Sequence, residues 1–144
     1  MTRNPASPAH HNKKKMTILQ VVPTLIAGGV ERGTIEISKA LVEKGHRSIV
    51  VSAGGPLIDS VHSVGAEYIR MNVASKNPFC MYNNIKKLSE IIREEEVDIV
   101  HARSRAPAWS AYFAAKRTGA HFVTTFHGIY NFSCGIKKLY NSIM

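Results

Sequence analysis

No apolar run in these 144 residues approaches the roughly 20 that cross a bilayer. A secretory signal is missing too. The basic stretch Lys13-Lys14-Lys15 leads into alternating strand-like and loop-like residues rather than a cleavable apolar block. These two absences make the cytoplasm the expected compartment. Cysteine is scarce. Cys80 and Cys134 form no CxxC, and no His/Cys spacing suggests a structural zinc site, so two free thiols and no metal are expected. GxGxxG is absent, and the second apolar strand ends Val50-Val51-Ser52 without an acid for a ribose hydroxyl. GxxxxGK[ST] is also absent. Neither a dinucleotide fingerprint nor a P-loop is therefore present. Ser104 and Ser133 lack the glycine frame of a nucleophile elbow, which argues against hydrolase chemistry. There is no aromatic-basic RNA motif and no DNA-reading helix, so nucleic acid is not an expected partner. No internal repeat or low-complexity core segment occurs.

The chain does have an excess of positive charge. Nineteen Lys and Arg face ten Asp and Glu, for a formal net charge of +9. Arg3 and Lys13 to Lys15 place four of these cations in a leader with no acid, rich in Pro, Ser, Asn and His. Residues 1–15 are expected to be a disordered basic leader, with the domain running over 16–144. The remaining excess is modest and suits phosphate ligands or an anionic membrane surface. The length is that of one domain with a substantial core.

From Met16 onward the pattern alternates strand and helix. Apolar strands are expected at 17–22, 47–52, 67–71, 97–101 and 121–126. Continuous apolar runs of this kind belong to a sheet covered on both faces. Helices are expected at 30–44, with Val30, Ile37 and Leu41 on one stripe, at 57–64 and at 106–117. Another is expected over 81–94, where Met81, Ile85, Leu88 and Ile92 recur at helical spacing. A further helix begins at Ser133. Strands joined by helices imply a parallel sheet with right-handed crossovers. The predicted class is α/β, a doubly wound, Rossmann-like domain.

Such sheets bind ligands along the carboxyl edge of their strands. That rule gathers distant residues. Gly28-Gly29 follows the first strand and Gly54-Gly55 the second. His101, Arg103, Ser104 and Arg105 follow the fourth, and His127, Gly128 and Tyr130 follow the fifth. The opposite edge carries what read as ordinary turns. Glycine lets backbone approach a ligand, and the helix behind Gly28-Gly29 aims free N–H groups and the positive end of its dipole at that point. Arginine supplies bidentate contacts to phosphate or carboxylate. Each feature has a plainer reading: a turning loop, a capping histidine, a solvated arginine. It is their convergence on one edge that points to a phosphorylated or nucleotide-linked ligand.

Together these residues resemble the N-terminal half of a family-4 glycosyltransferase of the GT-B fold, of the bacterial envelope-polysaccharide and lipopolysaccharide type. The matching pieces are Gly28-Gly29-Val30-Glu31-Arg32, residues 41–46, Ser75-Lys76-Asn77-Pro78, the run from Asp98 through His101-Ala102-Arg103-Ser104-Arg105 to Trp109, and Thr124-Thr125-Phe126-His127-Gly128. The resemblance implies transfer of a sugar, with retention, from a nucleotide-diphosphate donor to a hydroxyl of a glycan or lipid-linked acceptor. It implies no metal and no cofactor beyond the nucleotide sugar as co-substrate. By the same resemblance His127 meets the reacting sugar as the catalytic residue. Gly28, Gly29, His101 and Gly128 bind substrate, and Arg103 and Arg105 lie toward the acceptor. The family's C-terminal, donor-binding domain is not found in the sequence. The expectation is therefore a truncated form, inactive alone and dependent on a separate chain carrying the other half. Two other readings stay open: a non-catalytic module that binds a phosphorylated ligand, and an inactive remnant.

Overall fold

The computed structural model describes residues 14–75 and 77–125. Nine elements alternate along them: β1 (Thr17–Val21), α1 (Gly29–Glu43), β2 (Arg47–Ser52), α2 (Ile58–Ser63), β3 (Glu67–Arg70), α3 (Pro78–Glu94), β4 (Ile99–Ala102), α4 (Arg105–Thr118) and β5 (His121–Thr124). The strands form one parallel sheet in the order β3-β2-β1-β4-β5. This is the α/β, Rossmann-like architecture expected. The last predicted helix and the leader up to residue 13 lie outside the described residues.

Successive residues of a strand point to opposite faces, and the two faces are built differently. Leu19, Val21, Ile49, Val51, Val100 and Ala102 face α3 and α4, where they meet Leu88, Ile92 and four fully buried alanines, Ala108, Ala111, Ala114 and Ala115. A stripe of alanines lets α4 sit close to both sheet and α3. Fully burying each Val or Leu here contributes about 1.5–3 kcal/mol. On the other face, Val22, Leu25, Val50, Val61 and Ala66 form a smaller apolar cluster with residues of α1 and α2.

The middle of that second face is polar. The buried residues of α1 are Thr34 and Ser38, while Ile37 is 36% exposed. Of the predicted stripe of Val30, Ile37 and Leu41, Val30 packs against this cluster while Ile37 turns away from it. The reason is Gln20, fully buried in β1. Its Nε2 donates to the Ser38 hydroxyl at 2.8 Å and the Thr34 carbonyl at 3.2 Å, and lies 3.4 Å from the Ser48 hydroxyl. A buried amide must be satisfied, so the helix turns the Ser38 hydroxyl and the Thr34 carbonyl toward it.

Most element bounds shift by one or two residues from those read in the sequence, and α3 and β4 show physical reasons for such shifts. α3 begins at Pro78 instead of Met81, because Asn77 caps it: its Oδ1 accepts from the Phe79 N–H at 2.9 Å, with Pro78 at the first helical position. β4 begins at Ile99 instead of Val97, because Val97 closes α3. The Val97 N–H donates to the Ile92 carbonyl at 2.9 Å across Glu96, which adopts φ +50. β4 also runs one residue past His101. The amino edge of the sheet holds more than turns. Arg47 pairs with Glu67 and Glu95, both at 2.8 Å. Asp98 accepts from the Thr17 N–H at 2.8 Å and lies 3.5 Å from the Lys14 ammonium. The Thr17 N–H, and secondarily Lys14, hold the Asp98 carboxyl below its ordinary value against the opposing effect of burial.

Candidate functional site

The strand order reverses between β1 and β4. At such a switch point the connections from neighbouring strands leave toward opposite faces, and a crevice opens at the carboxyl ends. α1 departs to one face from β1 and α4 to the other from β4, so both helix N-termini stand at this crevice. The connections that meet here are residues 22–28 from β1 and Arg103 and Ser104 from β4, which leads into Arg105.

The loop of residues 22–28 is held by backbone. The Leu25 N–H donates to the Gly54 carbonyl at 2.8 Å, the Leu57 N–H to the Leu25 carbonyl at 3.1 Å, and the Ala53 N–H to the Pro23 carbonyl at 3.0 Å. The connection after β2 thus acts as a splint for the connection after β1. Gly55 makes this approach feasible. Its φ is +150, and a Cβ there would overlap the Leu25 carbonyl. The Gly54-Gly55 pair is explained by the fold.

Gly28 and Gly29 are not. Gly28 is extended backbone that any residue adopts, and a Cβ on it would meet only the movable carboxylate of Glu31. A Cβ on Gly29 would have no described neighbour within 4 Å. Gly28 is the N-cap of α1 and has no side chain to cap with. No described residue accepts from the N–H groups of Gly29, Val30 or Glu31. The Glu31 carboxylate stands beside this uncapped start, and once it swings aside the free donors and the helix dipole favour an external anion there. The expectation that Gly28 and Gly29 meet substrate rests on the same ground, and no described residue fills the space above Gly29.

His101 lies inside β4, paired with Gln20 of β1 and Val123 of β5. It is half-buried, and its Nε2 lies 3.1 Å from the Thr125 hydroxyl, the direction of donation following the imidazole tautomer. Thr125, just past β5, is a neighbour that the sequence did not single out. Arg105 is the first residue of α4 and half-buried. Arg103 is turned inward and is 4% exposed. Its Nη1 lies 3.3 Å from both the Gln20 Oε1 and the Gly33 carbonyl, and its Nε has no hydrogen-bond partner among the described residues. No described carboxylate forms an ion pair with it. Burial pulls this guanidinium below its ordinary value, yet arginine remains charged in proteins. His127 and Gly128 lie outside the described residues.

Gly28, Gly29, His101, Arg103 and Arg105 thus all stand at or beside the β1–β4 switch point. Gly33, which meets Arg103, went unnoticed in the sequence; its signal was a lone glycine inside a helical pattern. A concavity of about 540 Å³ lies away from this point, between the end of β3 and α3, lined by Arg70, Asn72, Ser75, Cys80, Asn83 and Lys87 among others. No described group of three or more His, Cys, Asp or Glu is placed to hold a metal.

Comparison with known proteins gives this geometry a context. The family model for Glycosyltransferase Family 4 matches residues 27–143. A crystal structure of a glycosyltransferase from Rickettsia africae ESF-5 is 56% identical, with a TM-score of 0.78 over 90% of this chain and 34% of that one. One of the subunits of the Homo sapiens phosphatidylinositol N-acetylglucosaminyltransferase is 27% identical over 125 residues, which is 81% of this chain and 26% of that protein. The fold is also that of MurG from Acinetobacter baumannii, with a TM-score of 0.66 at 12% identity over 90% of this chain and 39% of that one. The chain therefore spans about a quarter to two fifths of the length of these relatives.

Proposed function

The chain belongs to glycosyltransferase family 4, and on that premise we propose that it forms one wall of a site that moves a sugar from a nucleotide-diphosphate donor to an acceptor hydroxyl. The observation that carries this reading is the bare start of α1. Gly28 and Gly29 leave three N–H groups unpaired by any described residue at the switch point, and neither glycine is required by backbone strain or core packing. In such a transfer the bond from the sugar's anomeric carbon to the diphosphate oxygen breaks while the acceptor oxygen bonds to that carbon. Negative charge grows on the departing diphosphate. Donors already aimed at that charge lower the barrier without a metal or other cofactor. His101 and Arg105 flank the same crevice. In this reading His127 meets the reacting sugar and Gly128 lets the backbone approach it.

Transfer in this reading retains the anomeric configuration and serves cell-envelope glycan synthesis, with a glycan or lipid-linked acceptor. A second α/β unit, in this chain's partner or in continuous sequence, supplies the opposite wall. The site works at an anionic membrane face on the cytoplasmic side. No described helix is long and apolar enough to cross a membrane, but α3 carries Phe79, 86% exposed, and Tyr82, 67% exposed, on one stripe with Lys86 and Arg93. Aromatic rings beside cations suit an interface with anionic lipid.

The test is to exchange this chain for the matching segment of the Rickettsia africae glycosyltransferase and measure nucleoside diphosphate released from a panel of sugar nucleotides. Release that drops by about 10–100-fold with Gly29→Ala, while stability holds, is the expected result when a Cβ holds the diphosphate off the positioned donors. Release indifferent to Gly29→Ala would remove the proposal.

A further inference from the structure

Arg103 is the anomaly of this domain. Buried cations are ordinarily paired, because a charge taken out of water costs several kcal/mol unless a partner offsets it. At the amino edge of the sheet Arg47 has two carboxylates. Among the described residues Arg103 has only two neutral oxygens, each at 3.3 Å, and its Nε has no hydrogen-bond partner. A side chain kept at such cost calls for a role beyond packing.

Its contacts suggest the role. The Arg103 N–H donates to the Val21 carbonyl at 2.9 Å, at the last residue of β1. Its guanidinium reaches Gln20, also in β1, and the Gly33 carbonyl in the second turn of α1. One residue therefore grips both ends of the loop that carries Gly28 and Gly29. The middle of that loop is already splinted by Gly54 and Leu57. The fit under α1 is tight: a Cβ on Gly33 would lie 2.9 Å from the Arg103 Nη2. Gly33 is the gap through which the guanidinium reaches the helix backbone.

We propose that Arg103 is a positioning residue, and that the Arg103–Gly33 contact sets the height of the first turn of α1 over the sheet and so fixes the Gly28–Gly29 turn. The inference rests on the reading of that turn as the diphosphate cradle, and it gives Arg103 an indirect part in it. The guanidinium holds the cradle's frame and leaves ligand contact to the N–H groups in front.

A double-mutant cycle on the 144-residue chain tests it, with Gly33→Ala, Arg103→Lys and the pair. Lysine keeps the charge but lacks the second terminal nitrogen that a Cβ at position 33 would strike. Two readouts are taken: the amide NMR resonances of Gly28, Gly29 and Val30, and affinity for inorganic pyrophosphate. Gly33→Ala alone is expected to shift those resonances and to weaken pyrophosphate about tenfold, the scale of a sub-ångström misplacement. Adding Arg103→Lys is expected to bring both back to within about threefold of Arg103→Lys alone, a non-additivity that marks direct coupling. Additive effects, or resonances of residues 28–30 that stay in place in Gly33→Ala, would overturn the proposal. A loss of melting temperature with no local shift would overturn it too, since that is the mark of a merely structural arginine. If Gly33→Ala does not fold, hydrogen exchange in Arg103→Lys decides. Faster exchange confined to residues 29–33 supports the lock, and a uniform loss of protection refutes it. If the unaltered chain binds no pyrophosphate, the diphosphate reading fails, while the resonance shifts still decide the lock.

Discussion

Replacing Gly55 by alanine should damage this domain far more than the same change at Gly29, although both glycines border one crevice. At Gly55 the backbone stands at φ +150, where an L side chain is strained by about 1–3 kcal/mol. The new Cβ would also overlap the Leu25 carbonyl. Relief requires the two connections to part. That loosens the hydrogen bonds from Leu25 to Gly54 at 2.8 Å and from Leu57 to Leu25 at 3.1 Å, each contributing about 1 kcal/mol. Strain and lost bonds together come to about 4 kcal/mol, a large share of the 5–15 kcal/mol typical of a domain. For a domain of this size the midpoint of thermal unfolding should fall by roughly 10 °C. Gly29→Ala meets no described neighbour within 4 Å, and its stability should change by less than about 0.5 kcal/mol. Urea titration and thermal melting followed by circular dichroism measure both. Equal loss in the two variants, or the greater loss at Gly29, would refute the assignment of Gly55 to the fold and Gly29 to the ligand.

Three further outcomes follow from particular contacts. Glu96 adopts φ +50 at the end of α3, so Glu96→Gly should raise stability by about 1 kcal/mol, read by urea titration. The Asp98 carboxyl is held below its ordinary value chiefly by the Thr17 N–H. Its contribution is therefore complete above the unfolded value near about 4 and is lost as pH falls through the lower folded value; the stability gap between the unaltered chain and Asp98→Asn should shrink over that acidic range, and a gap that widened on acidification would contradict the contact. The chain should sediment with vesicles in proportion to their anionic lipid, less so in salt, and less again as the Phe79→Ser/Tyr82→Ser variant. Sedimentation indifferent to lipid charge would remove the membrane role.

The parallel sheet was legible because its inner strands β1 and β2 are buried on both faces and read as apolar runs, Ile18 to Val22 broken only by Gln20, and Ile49, Val50 and Val51. Helix α1 was legible in place but not in orientation. Its packed face is set by the need to satisfy Gln20, a tertiary demand that outweighs the apolar stripe through Ile37. Asn77-Pro78 was a readable start for α3 that the apolar spacing from Met81 obscured. Val97 looked like strand because it is apolar, yet its burial comes from closing a helix. At the site, the carboxyl-edge rule gathered Gly28, Gly29, His101, Arg103 and Arg105 correctly around the switch point. It could not show that Arg103 turns inward, because the direction of a side chain depends on the space left by Gly33, 70 residues away.

If the open start of α1 at the β1–β4 switch point receives a diphosphate, inorganic pyrophosphate should reveal it in a titration of the chain followed by amide resonances. Gly29, Val30 and Glu31 should then move first and furthest, and added salt should weaken the effect. Movement confined to the concavity between β3 and α3, around Arg70 and Lys87, with residues 29–31 unmoved, would show that the anion site lies elsewhere.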